Sequence, residues 1–434
     1  MRNEPTPLPE RLSDWLALLE TRHYKTIQLG LERVDAVRRR LGLELSCPVI
    51  TVGGTNGKGS TCAYLEAVLV DAGYRVGCYT SPHLLHYGER VRVAGEELPD
   101  AQHVAAFAAV EAARGDIPLT YFEHGTLAAI WLFRRLEVEA VVLEVGLGGR
   151  LDAVNVFEPD CAVVTSVDLD HQEYLGDTRE AIGREKAGIF RGGRPAVVTD
   201  PDPPQSLLTH ARTLGARLLR LGNEISLETG QGGWACRVGG RHYAALPVPA
   251  LPGAFQLANA AAAVAALDTL HERLPVSMQA LRTGLARARP PGRFQVVSGP
   301  PMVILDVAHN PQAARALATN LTRVPARSRR LAVLGMLRDK DVAGVVQPLL
   351  PLVDAWFAAG LPGPRGLSGE ALLKLLTVEG ATCAGAYADV PHALQAACAS
   401  AGAADIIIVF GSFYTVAAAS AVLGQGCTAA SETL

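Results

Sequence analysis

The chain has 434 residues, of which 49% are hydrophobic, and a formal net charge of −3 at pH 7. This length indicates two or three domains, and the near-balance of charge argues against binding to nucleic acid or to an anionic membrane surface. The eight Cys residues are scattered without the spacing of a zinc site, which is typical of free thiols in a reducing cytoplasm.

The chain begins with the polar, Pro-rich segment MRNEPTPLPERL, which does not resemble a signal peptide. No apolar stretch reaches the ~20 residues that a membrane span needs. The spacing of apolar side chains over residues 11–42 predicts helix. These features predict a cytoplasmic protein without a membrane partner. Because no dedicated assembly element is evident, we expect a monomer.

The segment VGGTNGKGSTC, which begins at Val52, lies between a β-branched strand and a segment with helical spacing. In the common phosphate-binding loop, Gly, four residues, Gly and Lys are followed directly by Ser or Thr. Here Val52 replaces the first Gly, and Gly59 separates Lys58 from Ser60 and Thr61. The backbone N–H groups can still enclose a phosphate, Lys58 can reach the β- and γ-phosphates, and either hydroxyl can hold Mg²⁺. The alternative is a Gly-rich turn without a ligand.

Apolar strands then alternate with helices, which predicts a parallel sheet covered by helices on both faces. Glu144 is expected at the end of one strand and His171 at the end of the next. The carboxyl ends of parallel strands form the sheet edge where ligands bind. Glu144 is therefore a candidate magnesium ligand or water-positioning group, and His171 is a second candidate, with Asp168 and Asp170 as competitors. The alternatives are an exposed strand-end acid and a surface or packed histidine.

The Pro-rich segment ARPPGRFQVVSGPP interrupts this alternation and predicts a domain boundary. We place the two domains at residues 1–292 and 293–434. After the boundary, apolar strands and helices alternate again, which predicts a second, smaller α/β domain.

Two further positions are ambiguous by composition. Lys186, beside Glu185, has the features of an ordinary helix lysine. In LDVAHNP, a strand end places Asp306, His309 and Asn310 at the mouth of the second domain. The alternative for this segment is a turn that only caps the following helix.

Seven segments, GTNGKGS, TSPHL, EVGLGGRLDA, LDH, REKAGIF, PGRFQ and DVAHNP, occur in this order along the chain. Together they resemble the Mur ligase superfamily, and more closely the bacterial folylpolyglutamate synthases that are also dihydrofolate synthases. In that family Gly or Thr commonly separates the loop lysine from the hydroxyl. The resemblance implies an α/β fold with a P-loop-containing, Mur-ligase-like central domain, whose sheet is mostly parallel, and a smaller Rossmann-like C-terminal domain.

The resemblance also implies an activity, the ATP-dependent ligation of L-glutamate to dihydropteroate and to reduced folates through an acyl phosphate. The partners would be these small molecules. One alternative is a folylpolyglutamate synthase without the dihydropteroate activity. Another is a different Mur-type amide ligase, although many of these carry an additional N-terminal domain. From another class, a P-loop switch protein would hydrolyse ATP without ligation.

The site residues implied by the resemblance fall into four groups. The ATP-binding group consists of Thr55, Asn56, Gly57, Lys58, Gly59, Ser60, Asn259, Arg293 and Asp306. For one or two Mg²⁺ ions the ligands are Ser60, Ser81, Glu144 and His171. The acceptor substrate contacts Thr120, Tyr121, Phe122, Glu123, Leu151, Asp152 and Ala153. For catalysis we expect Lys58, Lys186, His171 and His309.

Three positions carry additional expectations. Lys186 matches a lysine that is carbamylated in this family, which would turn a cation into a carboxylate able to hold a second metal. His309 and Ser412 are expected on the side of the incoming glutamate. Gln28 stands where the bifunctional enzymes usually carry Asp, and it offers a hydrogen bond without a charge.

Overall fold

The computed structural model describes residues 8–22, 28–230, 232–249, 253–297, 299–324 and 329–424. The chain forms two compact units. The first unit contains Met1–Ala250 and Leu257–Ala288, and the second contains Leu251–Gln256 and Arg289–Leu434. The domain boundary placed between residues 292 and 293 stays a prediction.

The main sheet of the first unit is mostly parallel, as predicted. Its strands are β1 (Val49–Gly53), β2 (Val76–Tyr79), β3 (Val91–Val93), β4 (Glu96–Glu97), β5 (Ala140–Glu144), β6 (Cys161–Val164), β7 (Pro195–Val198) and β8 (Arg217–Arg220). Their order is β4-β3-β2-β5-β1-β6-β7-β8. Neighbours from β2 to β8 pair parallel, whereas β2 with β3 and β3 with β4 pair antiparallel.

Helices cover this sheet. Those before residue 289 are α1 (Leu12–Arg22), α2 (Glu32–Leu41), α3 (Lys58–Asp71), α4 (Asp100–Arg114), α5 (Tyr121–Arg135), α6 (Gln172–Leu175), α7 (Arg179–Ala187), α8 (Gln205–Leu214), α9 (Ala254–Thr269) and α10 (Met278–Arg287). Short 3₁₀ helices span Tyr87–Arg90 and Ala153–Val156.

Alternate residues of the central strands pack into two different layers. In β5, Val141 and Leu143 join the hydrophobic cluster that contains α5, whereas Ala140 and Val142 join the cluster that contains α3. All four side chains are fully buried. Because side chains alternate across a strand, a strand buried on both faces is apolar throughout, which is why these segments are continuous apolar runs in the sequence.

The prediction of helix over residues 11–42 is wrong in its middle. Helix α1 ends at Arg22 and α2 begins at Glu32, and the described residues between them, 28–31, are not helical. Gly30 has a φ of 141°, which side-chain-bearing residues rarely adopt. The glycine therefore allows a break that the spacing of apolar residues alone does not indicate.

A small antiparallel sheet in the first unit was not predicted. It consists of β9 (Ile225–Gly230), β10 (Gly233–Val238) and β11 (Arg241–Leu246), in the order β11-β10-β9. Trp234, Cys236 and Val238 point from β10 into the cluster that contains α3. Their spacing of two residues is the sequence signal that indicates this strand.

The second unit contains a six-stranded sheet in the order β12-β13-β17-β14-β15-β16, built from β12 (Gln295–Val297), β13 (Met302–Asp306), β14 (Arg330–Leu334), β15 (Ala355–Ala359), β16 (Cys383–Tyr387) and β17 (Ile406–Phe410). Only β12 pairs antiparallel. The helices are α11 (Pro311–Arg323), α12 (Val342–Val346), α13 (Gly369–Val378), α14 (Val390–Ser400) and α15 (Phe413–Gly424), with a 3₁₀ helix at Leu350–Leu352. Within the described ranges, no helix combines the length and hydropathy that a membrane span requires.

Candidate active site

Four neighbouring parallel strands of the first unit, β2, β5, β1 and β6, end at one sheet edge, which we call the carboxyl edge. Val52 of β1 is in register with Glu144 of β5, and Gly53 is in register with Val164 of β6. The glycine-rich loop after β1 and the carboxylate at the end of β5 therefore lie side by side. This is the position at which open α/β sheets bind ligands.

The loop after β1 requires two of its glycines. Gly54 has a φ of 146°, and a Cβ there would overlap the hydroxyl of Thr165. Gly57 has a φ of 91°, and a Cβ there would overlap the side-chain amide of Asn259. The loop backbone is thus in close contact with the segment after β6 and with α9. Asn259, a predicted ATP contact, lies directly beside the loop.

The segment after β6 holds the loop through hydrogen bonds. Thr55 Oγ1 and the backbone of Asp168 exchange two bonds of 3.0 Å. Thr165 Oγ1 donates to Asn56 O at 2.6 Å, and Asn56 N donates to Ser166 Oγ at 3.1 Å. No sequence motif pointed to Thr165 and Ser166. The sequence signal that could have indicated them is a pair of hydroxyl residues directly after an apolar strand, at a ligand-binding edge.

Lys58 is the first residue of α3, so the helix N-terminus faces the loop. Its Nζ donates to Gly54 O at 3.0 Å and to Thr55 O at 3.2 Å. The ammonium group thus lies over the loop backbone, next to the N–H groups of the first helical turn. This arrangement suits a polyphosphate, because the loop N–H groups, the helix dipole and the ammonium are all electropositive.

The two hydroxyls of the first turn of α3 have different surroundings. Thr61 is fully buried, and its Oγ1 donates to Asn259 O at 3.5 Å. Ser60, one residue earlier in this turn, is also buried. Since Thr61 is engaged in helix packing, Ser60 is the better candidate for the metal.

Ser81 and Glu144 are also brought together at the carboxyl edge. The carboxylate of Glu144 is only 4% exposed, and its Oε2 accepts a 3.0 Å hydrogen bond from Ser81 N. Ser81 follows the end of β2 closely, so its hydroxyl belongs to the same edge. Together with Ser60, this edge therefore carries one carboxylate and two serine hydroxyls.

The prediction that His171 ends a strand is wrong. Strand β6 ends at Val164, and His171 is the N-cap of α6, with a φ of 50°. The intervening residues leave the sheet because they bind the glycine-rich loop. The ring of His171 is about one-third exposed, with Nε2 at 4.0 Å from the carboxylate of Asp170.

The donor chemistry of this edge fits magnesium. Mg²⁺ prefers oxygen ligands and usually takes one or two carboxylates together with substrate phosphates. Glu144, Ser60 and Ser81 supply such oxygens beside the loop. In the part of the chain that the structure describes, no group of three or more His, Cys, Asp or Glu side chains has metal-binding geometry.

Lys186 is buried, although its sequence context has the features of an ordinary helix lysine. It is 4% exposed in α7, and its pKa is lowered to about 7. The main cause is burial, and the positive charge of Lys58 adds to it, while Asp170 and Asp152 act in the opposite direction. Burial disfavours the charged form of an amine. Lys186 is therefore partly neutral near pH 7.

Asp152 shares this environment. Burial raises its pKa to about 7, although its carboxylate accepts backbone hydrogen bonds from Leu147 at 2.8 Å and from Val154 at 3.1 Å. Lys58 lowers the same pKa. Of its neighbours in the predicted acceptor segment, Ala153 is buried like Asp152, whereas Leu151 is half-buried. Leu151 O accepts a hydrogen bond from Gly30 N at 3.4 Å.

In the segment Thr120–Glu123, two residues have a structural role in the helix start and the other two are half-buried. Thr120 and Glu123 form a capping box at the start of α5, with bonds of 3.2 and 2.8 Å between side chains and backbone. Glu123 also forms a 2.7 Å ion pair with Arg33, which donates to Gln28 O. Ser or Thr followed by Glu three residues later is the sequence pattern of a capping box. This box fixes the start of α5.

The half-buried members are aromatic. The ring of Phe122 lies 5.8 Å from that of Tyr79, and the ring of Tyr121 lies 5.3 Å from the guanidinium of Arg90. Aromatic faces at a half-buried position suit a flat heterocycle. They are consistent with the prediction that this segment contacts the acceptor.

In the second unit, Asp306 lies at the end of β13, as predicted. Its carboxylate accepts 2.8 Å hydrogen bonds from Phe294 N and Ala308 N. Burial raises its pKa, while Arg293 and His309 lower it. Asp306, Arg293 and His309 therefore form one polar cluster at the carboxyl end of this sheet.

Aromatic and capping contacts complete this cluster. Phe413 lies 5.6 Å from the guanidinium of Arg293 and 6.2 Å from the ring of His309. No sequence motif pointed to Phe413. Asn310 caps α11 by accepting from Ala313 N, which matches the alternative given for that segment. Ser412 is buried and accepts a 3.0 Å bond from Thr415 N at the start of α15, so its hydroxyl has a structural partner.

Comparison with known proteins shows the family. A model of the Mur ligase middle domain matches residues 52–267, and a model of the Mur ligase glutamate ligase domain matches residues 292–413. A dihydrofolate synthase/folylpolyglutamate synthase of Escherichia coli (strain K12) is 51% identical over 94% of this chain and 94% of its own length. The chain belongs to the dihydrofolate synthase/folylpolyglutamate synthase family of Mur ligases.

Other members of this family agree. The enzyme of the same name from Haemophilus influenzae is 41% identical over 96% of this chain and 98% of its own. The structure of E. coli FolC in complex with DHPP and ADP has a TM-score of 0.92 at 50% identity, covering 97% of this chain and 99% of that chain. A bifunctional member with Mn, AMPPNP and L-glutamate bound has a TM-score of 0.89, covering 96% and 100%. These relationships confirm the predicted fold class.

Proposed function

We propose that this chain is an ATP-dependent ligase that adds L-glutamate to dihydropteroate, forming dihydrofolate, and to reduced folates, forming polyglutamates. The observation that carries the proposal is the carboxyl edge of the first unit. This edge carries a loop lysine and a buried carboxylate, and the loop lysine acts electrostatically on a buried, partly neutral lysine, in a chain 51% identical to a dihydrofolate synthase/folylpolyglutamate synthase. We also propose that it works in the cytoplasm on these small molecules.

The chemistry explains why such a site is needed. A carboxylate does not react with an amine, so an acceptor oxygen first attacks the γ-phosphorus of ATP and ADP leaves. The acyl phosphate then reacts with the amine of L-glutamate, which loses a proton as the amide forms and phosphate departs. Phosphoryl transfer depends on positioning and on neutralisation of charge. Lys58 and the N–H groups of α3 supply both on the protein side.

A bound Mg²⁺ would neutralise charge on the phosphates, and Ser60, Ser81, Glu144 and His171 would hold it. Asn259 in the first unit, and Arg293 and Asp306 in the second, are the proposed further contacts with ATP. His309 and Ser412 are proposed for the glutamate. Tyr121, Phe122 and the Leu151–Ala153 segment are proposed for the acceptor.

Lys186 is proposed to be carbamylated. Carbon dioxide reacts with a neutral amine, and the depressed pKa of Lys186 provides one at neutral pH. The product carries a negative charge beside Lys58, which would then favour it. The carbamate would offer two oxygens to a second metal.

A folylpolyglutamate synthase without dihydropteroate activity is the second candidate, because Gln28 lacks the charge that the bifunctional enzymes usually have there. The two are separated by an assay of ADP release with ATP, Mg²⁺ and L-glutamate. Turnover with dihydropteroate and with tetrahydrofolate supports the dual function. Turnover with tetrahydrofolate alone supports the second candidate. ADP release that is equally fast without acceptor or without glutamate would refute both.

A further inference from the structure

The loop between β2 and β3 presents a cation to the acceptor segment. Arg90, in the 3₁₀ helix Tyr87–Arg90, places its guanidinium 5.3 Å from the ring centre of Tyr121 and 5.8 Å from that of Tyr87. These aromatic faces support the planar guanidinium through cation–π contact. The side chain is therefore held in place and is only half-buried.

Arg90 has no counterion within the described residues. Its Nε donates to His83 Nδ1 at 2.8 Å. The accepting imidazole carries no negative charge, so this bond does not neutralise the guanidinium. The adjacent carboxylate of Glu89 is occupied by the N–H groups of Leu84, Leu85 and His86.

The two terminal nitrogens of Arg90 thus have no hydrogen-bond acceptor in the described part of the chain. A guanidinium is normally paired with a carboxylate or a phosphate when it is partly buried and fixed. His83 and the two tyrosine rings orient Arg90 without neutralising it. This arrangement indicates an anionic ligand.

The location of Arg90 limits which anion this can be. Arg90 O accepts a 2.9 Å hydrogen bond from Thr80 N, one residue before Ser81, whose own N–H binds Glu144. On its other side, the guanidinium lies against Tyr121 of the acceptor segment. Arg90 therefore lies between the proposed metal ligands and the proposed acceptor contacts.

We propose that Arg90 binds the non-reacting α-carboxylate of a folate acceptor, an inference that rests on the proposed function. Dihydropteroate has a single carboxylate, which is the one that is activated. A tetrahydrofolate has a terminal glutamate with two carboxylates, and only its γ-carboxylate is activated. The remaining α-carboxylate needs a fixed cation close to the reaction centre. Arg90 would thus discriminate between the two acceptors.

The test measures KM and kcat of wild type, Arg90→Gln and Arg90→Lys with three acceptors. These are dihydropteroate, tetrahydrofolate and a tetrahydropteroyl conjugate in which 4-aminobutyrate replaces glutamate, so that only the α-carboxylate is missing. Arg90→Gln should raise KM for tetrahydrofolate about 10- to 100-fold, the effect of a charge-assisted hydrogen bond. Its KM for dihydropteroate should change less than about 3-fold. Arg90→Lys should give an intermediate KM for tetrahydrofolate.

The wild-type comparison supplies a check that needs no variant. Wild type should bind the 4-aminobutyrate conjugate more weakly than tetrahydrofolate by about the factor seen for Arg90→Gln, and the variant should not distinguish the two. An equal KM of wild type for both compounds would overturn the inference, even where Arg90→Gln fails to fold. An equal increase in KM for all three acceptors in a folded Arg90→Gln variant would also overturn the inference. If wild type turns over neither natural acceptor, the proposed function fails and this inference with it.

Discussion

Burial, assisted by the positive charge of Lys58, lowers the pKa of Lys186, although the two lysines lie on different helices, α3 and α7. Two cations at one ligand-binding edge are unfavourable unless one of them becomes neutral or an anion binds between them. Both changes belong to the proposed function. Lys58 would meet the anionic phosphates of ATP, and Lys186 would lose its proton to become a carbamate.

Lys58→Ala should abolish ligation without unfolding the protein. Loss of the two Nζ bonds to loop carbonyls should cost little stability, whereas the γ-phosphate would lose a fixed cation. We expect kcat/KM to fall at least about 100-fold, the scale of one charge-stabilising group. Lys374→Ala, at an exposed lysine of α13, is the matched control and should be fully active. Normal turnover of Lys58→Ala would refute the phosphate-binding assignment.

Carbamylation of Lys186 should depend on pH with a defined sign. The pKa of this amine is lowered from 10.5 to about 7, so it is mostly protonated at pH 6 and mostly neutral at pH 8. Only the neutral amine reacts with carbon dioxide. At equal dissolved ¹³CO₂, the carbamate signal in the ¹³C NMR spectrum should therefore be several-fold stronger at pH 8 than at pH 6.

Lys186→Gln is the control for this measurement, because it removes the amine and keeps a polar side chain of similar length. It should show no carbamate signal and should lose most of the ligase activity. An identical signal in Lys186→Gln and wild type, or no signal in wild type at pH 8, would contradict the proposed carbamate.

Gly54→Ala should damage the nucleotide site, because the added Cβ would overlap Thr165 Oγ1 and the backbone has a φ of 146°. Gly73→Ala is the matched control, since Gly73 also has a positive φ, 92°, but open space around its Cβ position. Both variants carry the backbone penalty of roughly 1 kcal/mol. Only Gly54→Ala should also weaken binding of ADP, measured by calorimetry. Equal ADP affinity in the two variants would show that the close packing of the loop is not required.

The buried pair of Glu66 and Arg92 should stabilise the first unit. Arg92 binds both oxygens of Glu66 and also the side chain of Thr80, which joins α3 to the end of β2. Removing one partner leaves a buried charge unpaired, so Arg92→Ala should lower the free energy of unfolding by about 3 kcal/mol. Arg237→Ala, which breaks the exposed pair with Glu228, should cost less than about 1 kcal/mol. Denaturant unfolding of both variants checks this, and equal losses would contradict it.

Local patterns in the sequence predicted the apolar parallel strands, the glycine-rich loop and the strand-end positions of Glu144 and Asp306, but not the small antiparallel sheet of β9, β10 and β11. They did not predict that Thr165 and Ser166 hold the loop, because these are contacts between segments about 110 residues apart. The burial of Lys186 was not evident either, since a lysine beside Glu185 in a helix has the composition of a surface position. His171 was misplaced because its segment leaves the sheet to bind the loop.

The most direct test of the central claim follows oxygen from the acceptor. Dihydropteroate labelled with ¹⁸O in its carboxylate is incubated with ATP, Mg²⁺, L-glutamate and the wild-type protein, and the released phosphate is analysed by mass spectrometry. An acyl phosphate requires that one acceptor oxygen leaves with the phosphate, so the account predicts one ¹⁸O per phosphate and one glutamyl residue added to the acceptor. Release of unlabelled phosphate, with the acceptor unchanged, would show that the chain hydrolyses ATP without ligation.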